Sequence, residues 1–258
     1  QTTVNYNRDV EVFPVLKRIL KKITGGESYY ESPTDMGVNR VGFGIVNDEI
    51  VRKAAVQEVI ARYFQCACDY RMGYVEKEAV EKTGLLMEDL EVKPEHRPVV
   101  EPARQAAKEA QKKGKGNQGI YCGAALELSD GTIVTGKNTP LMHAASSAVL
   151  NAVKAIAGLP EDIHILSPNV IQSIGELKQD VFGSKAVSLD LEEILIALSM
   201  SATTNPTAQK AMESLTALRD QPMHITHIPT PGDEKALRKL RIHFTSDPEF
   251  ATQNLYDG

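Results

Sequence analysis

The chain has 258 residues, 42% of them hydrophobic and 24% charged, with a formal net charge of −5. That balance is ordinary for a globular protein, and without a long basic run it offers no electrostatic footprint for nucleic acid. No apolar run approaches the roughly 20 residues that span a bilayer, no signal peptide opens the chain, and three cysteines set no disulfide framework. A cytoplasmic protein is expected, with neither nucleic acid nor membrane as partner.

The first residue, Gln1, is no initiator, and residues 2–6 read as a strand with no partner nearby. Short strands need a sheet, so the chain is expected to be the C-terminal part of a longer protein. Phe13, Leu16, Ile19, Leu20 and Ile23 mark a first helix, stopped by Gly25 and Gly26. Residues 32–40 form a loop rich in turn formers. Asn47 and Asp48 can cap a long helix carrying Val51, Ala55, Val59, Ile60, Tyr63, Phe64 and Ala67. Cys66 and Cys68 lie two apart on it, so their side chains diverge by about 200°. A further helix over 74–90 contains Gly84, and Pro94 and Pro98 bracket the entry to one over 99–113. The glycine-rich run 114–119 is the clearest linker, which sets expected domains at 1–115 and 116–258.

Beyond the linker the pattern changes. Residues 120–128 read as a strand, 129–131 (Ser-Asp-Gly) as a turn and 132–137 as the returning strand. A helix over 144–157 ends at Gly158-Leu159-Pro160, a short apolar strand is expected at 163–166, and a helix over 168–179. Asp190 can cap a very hydrophobic helix (Leu191, Ile194, Leu195, Ala197, Leu198). Asn205-Pro206 opens another, with proline in its first turn. A strand at 223–228, a helix at 233–240 and a strand at 241–245 complete the chain. Strands separated by helices call for a largely parallel sheet with helices on its faces. The expected class is α/β (α+β overall): a helical N-terminal domain, then a three-layer α/β/α domain on a mixed sheet.

Several runs resemble a known family: Val4-Asn-Tyr-Asn-Arg-Asp9, Phe13-Pro-Val-Leu-Lys-Arg18, the irregular stretch from Ser32 to Gly44, Asp130-Gly-Thr-Ile133 and Asn205-Pro-Thr-Ala208. On these the chain is similar to the C-terminal half of a bacterial family, domain of unknown function 1846. The resemblance implies a cytosolic protein whose missing front half carries a glycine-rich, P-loop-like, nucleotide-associated segment; it implies no established reaction. The second domain resembles a cytidine deaminase in frame, through Cys122-Gly-Ala-Ala-Leu126, Asp130-Gly131, Thr135-Gly136, Asn138 and the helix pattern from His143 to Ala152. Zinc deaminases place H-x-E or C-x-E at the start of that helix and P-C-x-x-C on a later one. Here the first window is His143-Ala144-Ala145, and the best second window is Pro168-Asn169-Val170-Ile171-Gln172. The proton-carrying glutamate is replaced by Ala145 and both cysteines are missing, so zinc deamination is not expected.

A catalytic zinc needs three protein ligands and an open position. His143 qualifies as one, Asn169 and Gln172 are poor ligands, and the distance from Cys122 to His143 cannot be read from sequence. His164, His224, His227 and His243 form no metal cluster by spacing, so no metal and no catalytic residue is assigned. Asp35, Asn39 and Arg40 are the leading binding candidates: Arg40 suits a phosphate or carboxylate through paired hydrogen bonds, and Asp35 a metal-bound water or ribose hydroxyl. Arg8, near the opening strand, and His143, read first as a helix-start residue that caps or meets solvent and otherwise as part of a relict ligand-binding pocket, complete the set. The leading expectation is a non-catalytic binding and assembly module, homo-oligomeric, that packs on its own N-terminal half and completes that half's site through the 32–40 loop. It holds no cofactor itself; a nucleotide belongs to the missing half. The rival is an enzyme acting on a nucleotide-like or small polar metabolite through a zinc-free site of His143 and Asp35. A pure scaffold is the third reading.

Overall fold

A computed structural model describes residues 48–251 apart from 185 and 186. The expected opening strand, the first helix and the 32–40 loop, and with them Arg8, Asp35, Asn39 and Arg40, lie outside the described residues. The chain divides into two compact units, 1–94 and 95–258. In the first, helix α1 (Asp48–Arg71) packs on α2 (Lys77–Asp89). Val59, Ile60 and Phe64 of α1 and Met87 of α2 are buried, as the 3–4 spacing requires. Cys66 and Cys68 are both buried despite their divergence.

The second unit runs α3 (Val100–Lys112), β1 (Gly123–Glu127), β2 (Ile133–Lys137), α4 (Ala144–Ile156), α5 (Pro168–Glu176), a π-helical turn (Leu177–Val181), α6 (Leu191–Ala202), α7 (Pro206–Glu213), a 3-10 turn (Ser214–Leu218), β3 (Pro222–Ile225), α8 (Pro231–Lys239) and β4 (His243–Ser246). The β1–β2 hairpin closes where Gly131 takes φ 83°, a left-handed value natural to glycine, and where Asp130 accepts from the Thr132 amide. The sheet order is β2-β1-β3-β4. β1 is antiparallel to β2 and β3, and only β3 and β4 run parallel, so the sheet is mixed rather than largely parallel.

Alternation along β1 sends its side chains to opposite faces. Ala124 and Leu126 join the main core with Ala148, Val149 and Ala152 of α4. Ala125 packs instead with Val99 and Ala103 at the start of α3. Two glycines seat these helices. A Cβ on Gly136 of β2 would stand 2.2 Å from the Ala148 amide nitrogen of α4, and one on Gly123 of β1 would stand 2.2 Å from the Ala103 carbonyl oxygen of α3. No side chain fits either gap, so both helices lie directly on backbone.

That seat explains a difference from the sequence reading. The break between units falls between Pro94 and Glu95, not at the 114–119 run, because α3 gives its small buried face to the sheet. The strand expected at 163–166 does not form. Ile165 and Leu166 are buried in the core, but the run between Pro160 and Pro168 finds no ladder. Met142 and Leu189 form an isolated parallel bridge, which places the start of α6 beside that of α4. Among the described residues no helix is long and apolar enough to cross a membrane.

Candidate functional site

Three helices begin at one place in the second unit. His143 is the N-cap of α4, Asp190 of α6 and Thr230 of α8. The Met142–Leu189 bridge brings the first two together: the His143 amide donates to the Leu189 carbonyl at 3.0 Å, and the Leu189 amide to Leu141 at 2.8 Å. Asp190 and Glu193 form a capping box, Asp190 Oδ1 accepting from the Glu193 amide at 2.9 Å and Glu193 Oε2 from the Asp190 amide at 2.9 Å. Lys178, presented by the π-helical turn, donates to Glu193 Oε2 and to the Ser188 carbonyl, each at 2.8 Å. In α8, Thr230 Oγ1 caps the Asp233 amide at 3.3 Å.

Asp233 joins all three helices. Its Oδ1 accepts from the Leu191 amide at 2.8 Å. Its Oδ2 accepts from Thr230 Oγ1 at 2.8 Å and meets His143 Nδ1 at 2.7 Å. The Asp233 side chain is 5% exposed and that of His143 27%. Burial alone would lower the His143 pKa, but the hydrogen bond and charge of Asp233, with the charge of Asp190 behind them, outweigh it and raise the group above its ordinary 6.5. Asp190 is also raised above 3.8, chiefly by burial, with the nearby charges of Glu193 and Asp233 adding to it. Its carboxylate lies against the backbone of Gly232, where an added Cβ would come within 1.9 Å of Oδ2.

A carboxylate on Nδ1 fixes the imidazole tautomer, so the proton sits on Nδ1 and the lone pair on Nε2. Among the described residues neither His143 Nε2 nor Asp190 Oδ2 has a protein partner. These two atoms are the unengaged polar groups of the cluster. Cys122 lies near enough to feel the Asp233 charge, but burial first and that charge second push its thiol up to about 12. A thiol held that high is protonated at neutral pH. The Cys122 amide is tied to Asn138 Oδ1 at 2.8 Å. Among the described residues no three His, Cys, Asp or Glu side chains are grouped to hold a metal ion.

His143 thus stands at the centre of the site, in a pair that sequence reading did not anticipate. The second deaminase window was sought at Pro168, but the helix that meets His143 is α8, opening Thr230-Pro231-Gly232-Asp233. Pro168 to Gln172 merely opens α5, where Gln172 bonds Glu176 on its own helix. A helix start at Thr230 was readable from the three-residue spacing to Asp233; the reach of Asp233 to another helix was not.

A second polar cluster lies on the α3 side of the sheet. Asp247 takes Arg104 in a two-point bond, Nη2 at 2.7 Å and Nε at 3.1 Å, and lies 3.4 Å from Nε2 of the fully buried His224. His224 Nδ1 meets Thr245 Oγ1 at 2.8 Å. Burial, with Arg104 and Arg97 adding to it, holds His224 below its ordinary 6.5 in spite of Asp247. His227, just past β3, meets Thr226 Oγ1; His164 and His243 are exposed.

Fold and site together define a mixed α/β domain with a histidine–carboxylate pair at converging helix starts. The family model described as "Domain of unknown function DUF1846, C-terminal" matches residues 95–256, and its N-terminal counterpart matches 1–91. The chain belongs to the DUF1846 family. It is 48% identical over 256 residues to a UPF0371 protein of Clostridium tetani, 50% over 256 residues to one of Clostridioides difficile and 51% over 257 residues to one of Clostridium botulinum (strain Kyoto), covering 99% of this chain in each case. The chain spans about half, 51%, of the length of these relatives. The expected identity as a C-terminal half is corrected: residues 1–91 are themselves matched by the family's N-terminal model. With it falls the reading of an assembly half that completes a missing nucleotide-associated front.

Proposed function

We propose that the second unit is an acid–base site acting on a small polar molecule, with His143 Nε2 as the group that takes and returns the proton and Asp233 as its positioning partner. The observation that carries this is the 2.7 Å contact between His143 Nδ1 and a buried carboxylate whose other partners, the Leu191 amide and the Thr230 hydroxyl, are uncharged. The negative charge of Asp233 is therefore undivided and available to stabilise an imidazolium. We read the frame of this unit as deaminase-like. An antiparallel β1 between β2 and β3, and a helix opening on His143 after the hairpin, support that reading. Zinc hydrolysis is not part of it, since Ala145 stands where the proton-carrying glutamate belongs and Asp233 is engaged by three donors.

The test is a panel of small amines, amides and esters followed for turnover by NMR. Any conversion should fall by about 100-fold or more in His143→Gln, and by less in Asp233→Asn, with both variants folded. Turnover that survives His143→Gln unchanged contradicts the proposal.

A further inference from the structure

We propose that the outer face of α5, the π-helical turn and α6 docks a second copy of this chain, in a two-fold dimer held by apolar contact. Among the described residues of the second unit eight large hydrophobic side chains are exposed, and five of them (Leu177, Val181, Phe182, Ile196 and Met200) belong to this one stretch of structure. Scattered exposed hydrophobics need no explanation, but a group of them does. α5 and its turn run antiparallel along α6. At one end the Ser167 amide donates to Ser201 Oγ at 2.9 Å, and at the other Lys178 donates to Glu193 Oε2 at 2.8 Å. Ile171 and Ile174 of α5 pack on the core that buries Ile194 and Leu198 of α6. Ile196 and Met200 lie a turn apart on the far side of α6, between the two anchors.

Val181 and Phe182 are not loose. The Phe182 amide donates to the Leu177 carbonyl at 3.2 Å and the Ser184 amide to the Lys178 carbonyl at 2.9 Å, with Gly183 at φ 68° between them. A helix end closed in this way often folds a hydrophobic side chain back on its last turn. Here both stay about two-thirds exposed, held outward by a satisfied backbone, and a preorganised apolar tip loses little freedom on association. Area and charge select the occupant. The five side chains, 43–69% exposed, present roughly 500 Å², toward the upper end of the apolar patches left open on single chains. Two such faces would together remove about 1,000 Å², the threshold for a specific interface, and an identical face supplies the matching apolar surface. Lys178 is paired with Glu193, and Glu192 with Lys235 and Lys239. The remaining charges of α5, the turn and α6 are Glu176 and Asp180, both negative. That rim disfavours an anionic membrane, which recruits amphipathic helices through lysine and arginine. Between two copies its repulsion is confined to exposed side chains and is screened by salt.

The experiment is sedimentation equilibrium of the full chain from low to high micromolar concentration. A reversible dimer is expected, and it should hold or tighten between about 50 mM and about 500 mM salt as Glu176 and Asp180 are screened. Phe182→Ser at one end of the face and Ile196→Gln at the other should each raise the dimer dissociation constant about tenfold or more. Both replaced side chains are exposed, so the thermal midpoint measured at low concentration, where the chain is monomeric, should stay put. Tyr74→Ser, which removes an exposed aromatic of the first unit, should leave the dimer unchanged. A chain that stays monomeric throughout overturns the proposal, and one that also sediments with phosphatidylglycerol vesicles would assign the face to a membrane instead. A dimer indifferent to either Phe182→Ser or Ile196→Gln overturns it as well, as does one that dissociates when salt is added.

Discussion

Two histidine–aspartate pairs sit in one domain and are tuned in opposite directions. His143 and Asp233 are 2.7 Å apart, with the imidazole 27% exposed; His224 and Asp247 are 3.4 Å apart, with the imidazole fully buried. Both rings are penalised by burial, yet His143 is raised and His224 lowered. The first cause is burial, complete for His224 and partial for His143; the second is what else each carboxylate holds. Asp233 accepts otherwise from an amide and a hydroxyl, so its charge remains for the ring. Asp247 shares its charge with a two-point arginine. Burial opposes ionisation of Asp247, but His224 and Arg104 together pull it down to about 2. A carboxylate beside a histidine therefore makes a base only when no stronger cation claims it. The first pair has the character of a working site, the second of a fastening between sheet and α3.

The largest expected effects separate the two regions through their helix seats. Gly136→Ala and Gly123→Ala each force a methyl into backbone and should cost about 3 kcal/mol in denaturant unfolding. Only Gly136→Ala moves α4, so only it should shift the NMR signals of His143; equal shifts from both would blur the distinction. Next comes Arg104→Met, expected to cost about 2 kcal/mol through loss of the charged hydrogen bonds. It should also raise the His224 titration, because the Asp247 charge is then undivided. An unmoved His224 would show that burial alone sets it.

Smaller again is the pH dependence. His143 is raised, so its pairing stabilises the fold below its unfolded value of 6.5 and the contribution is lost as pH rises through the folded value. The cost of Asp233→Asn should thus be greater at about pH 5.5 than at about pH 8.5. His224 and Asp247 behave the other way. The neutral His224 contributes fully above 6.5 and loses that contribution as pH falls below it. The Asp247 contribution is present above 3.8 and lost as pH falls to about 2. Arg104→Met should accordingly flatten the acid limb of the stability curve, and an unchanged limb would remove Asp247 from the account.

Much of this frame was legible in advance, because local signals carried it. Ser129-Asp130-Gly131 announced the hairpin, Asp190 ahead of a run of apolar residues announced the start of α6, and Asn205 caps α7 through the Thr207 amide as its position before Pro206 suggested. Local signals failed where tertiary packing decided. Ile165 and Leu166 look like strand but serve as core. The glycine-rich run 114–119 looks like a boundary, yet α3 before it belongs to the sheet through Ala103 and Ala125. His143 was singled out, but its partner stands 90 residues away, and no spacing rule links residues at that distance. Asp35, Asn39, Arg40 and Arg8 fall outside the described residues.

The most direct test of the contrast is a pH titration of both imidazoles by NMR, in the unaltered protein and in Asp233→Asn. His143 should titrate above 6.5 and His224 below it. In Asp233→Asn only His143 should change, falling below 6.5 because its burial is then opposed by Asp190 alone. Two imidazoles that titrate together, or a His143 untouched by loss of the Asp233 charge, would contradict the account.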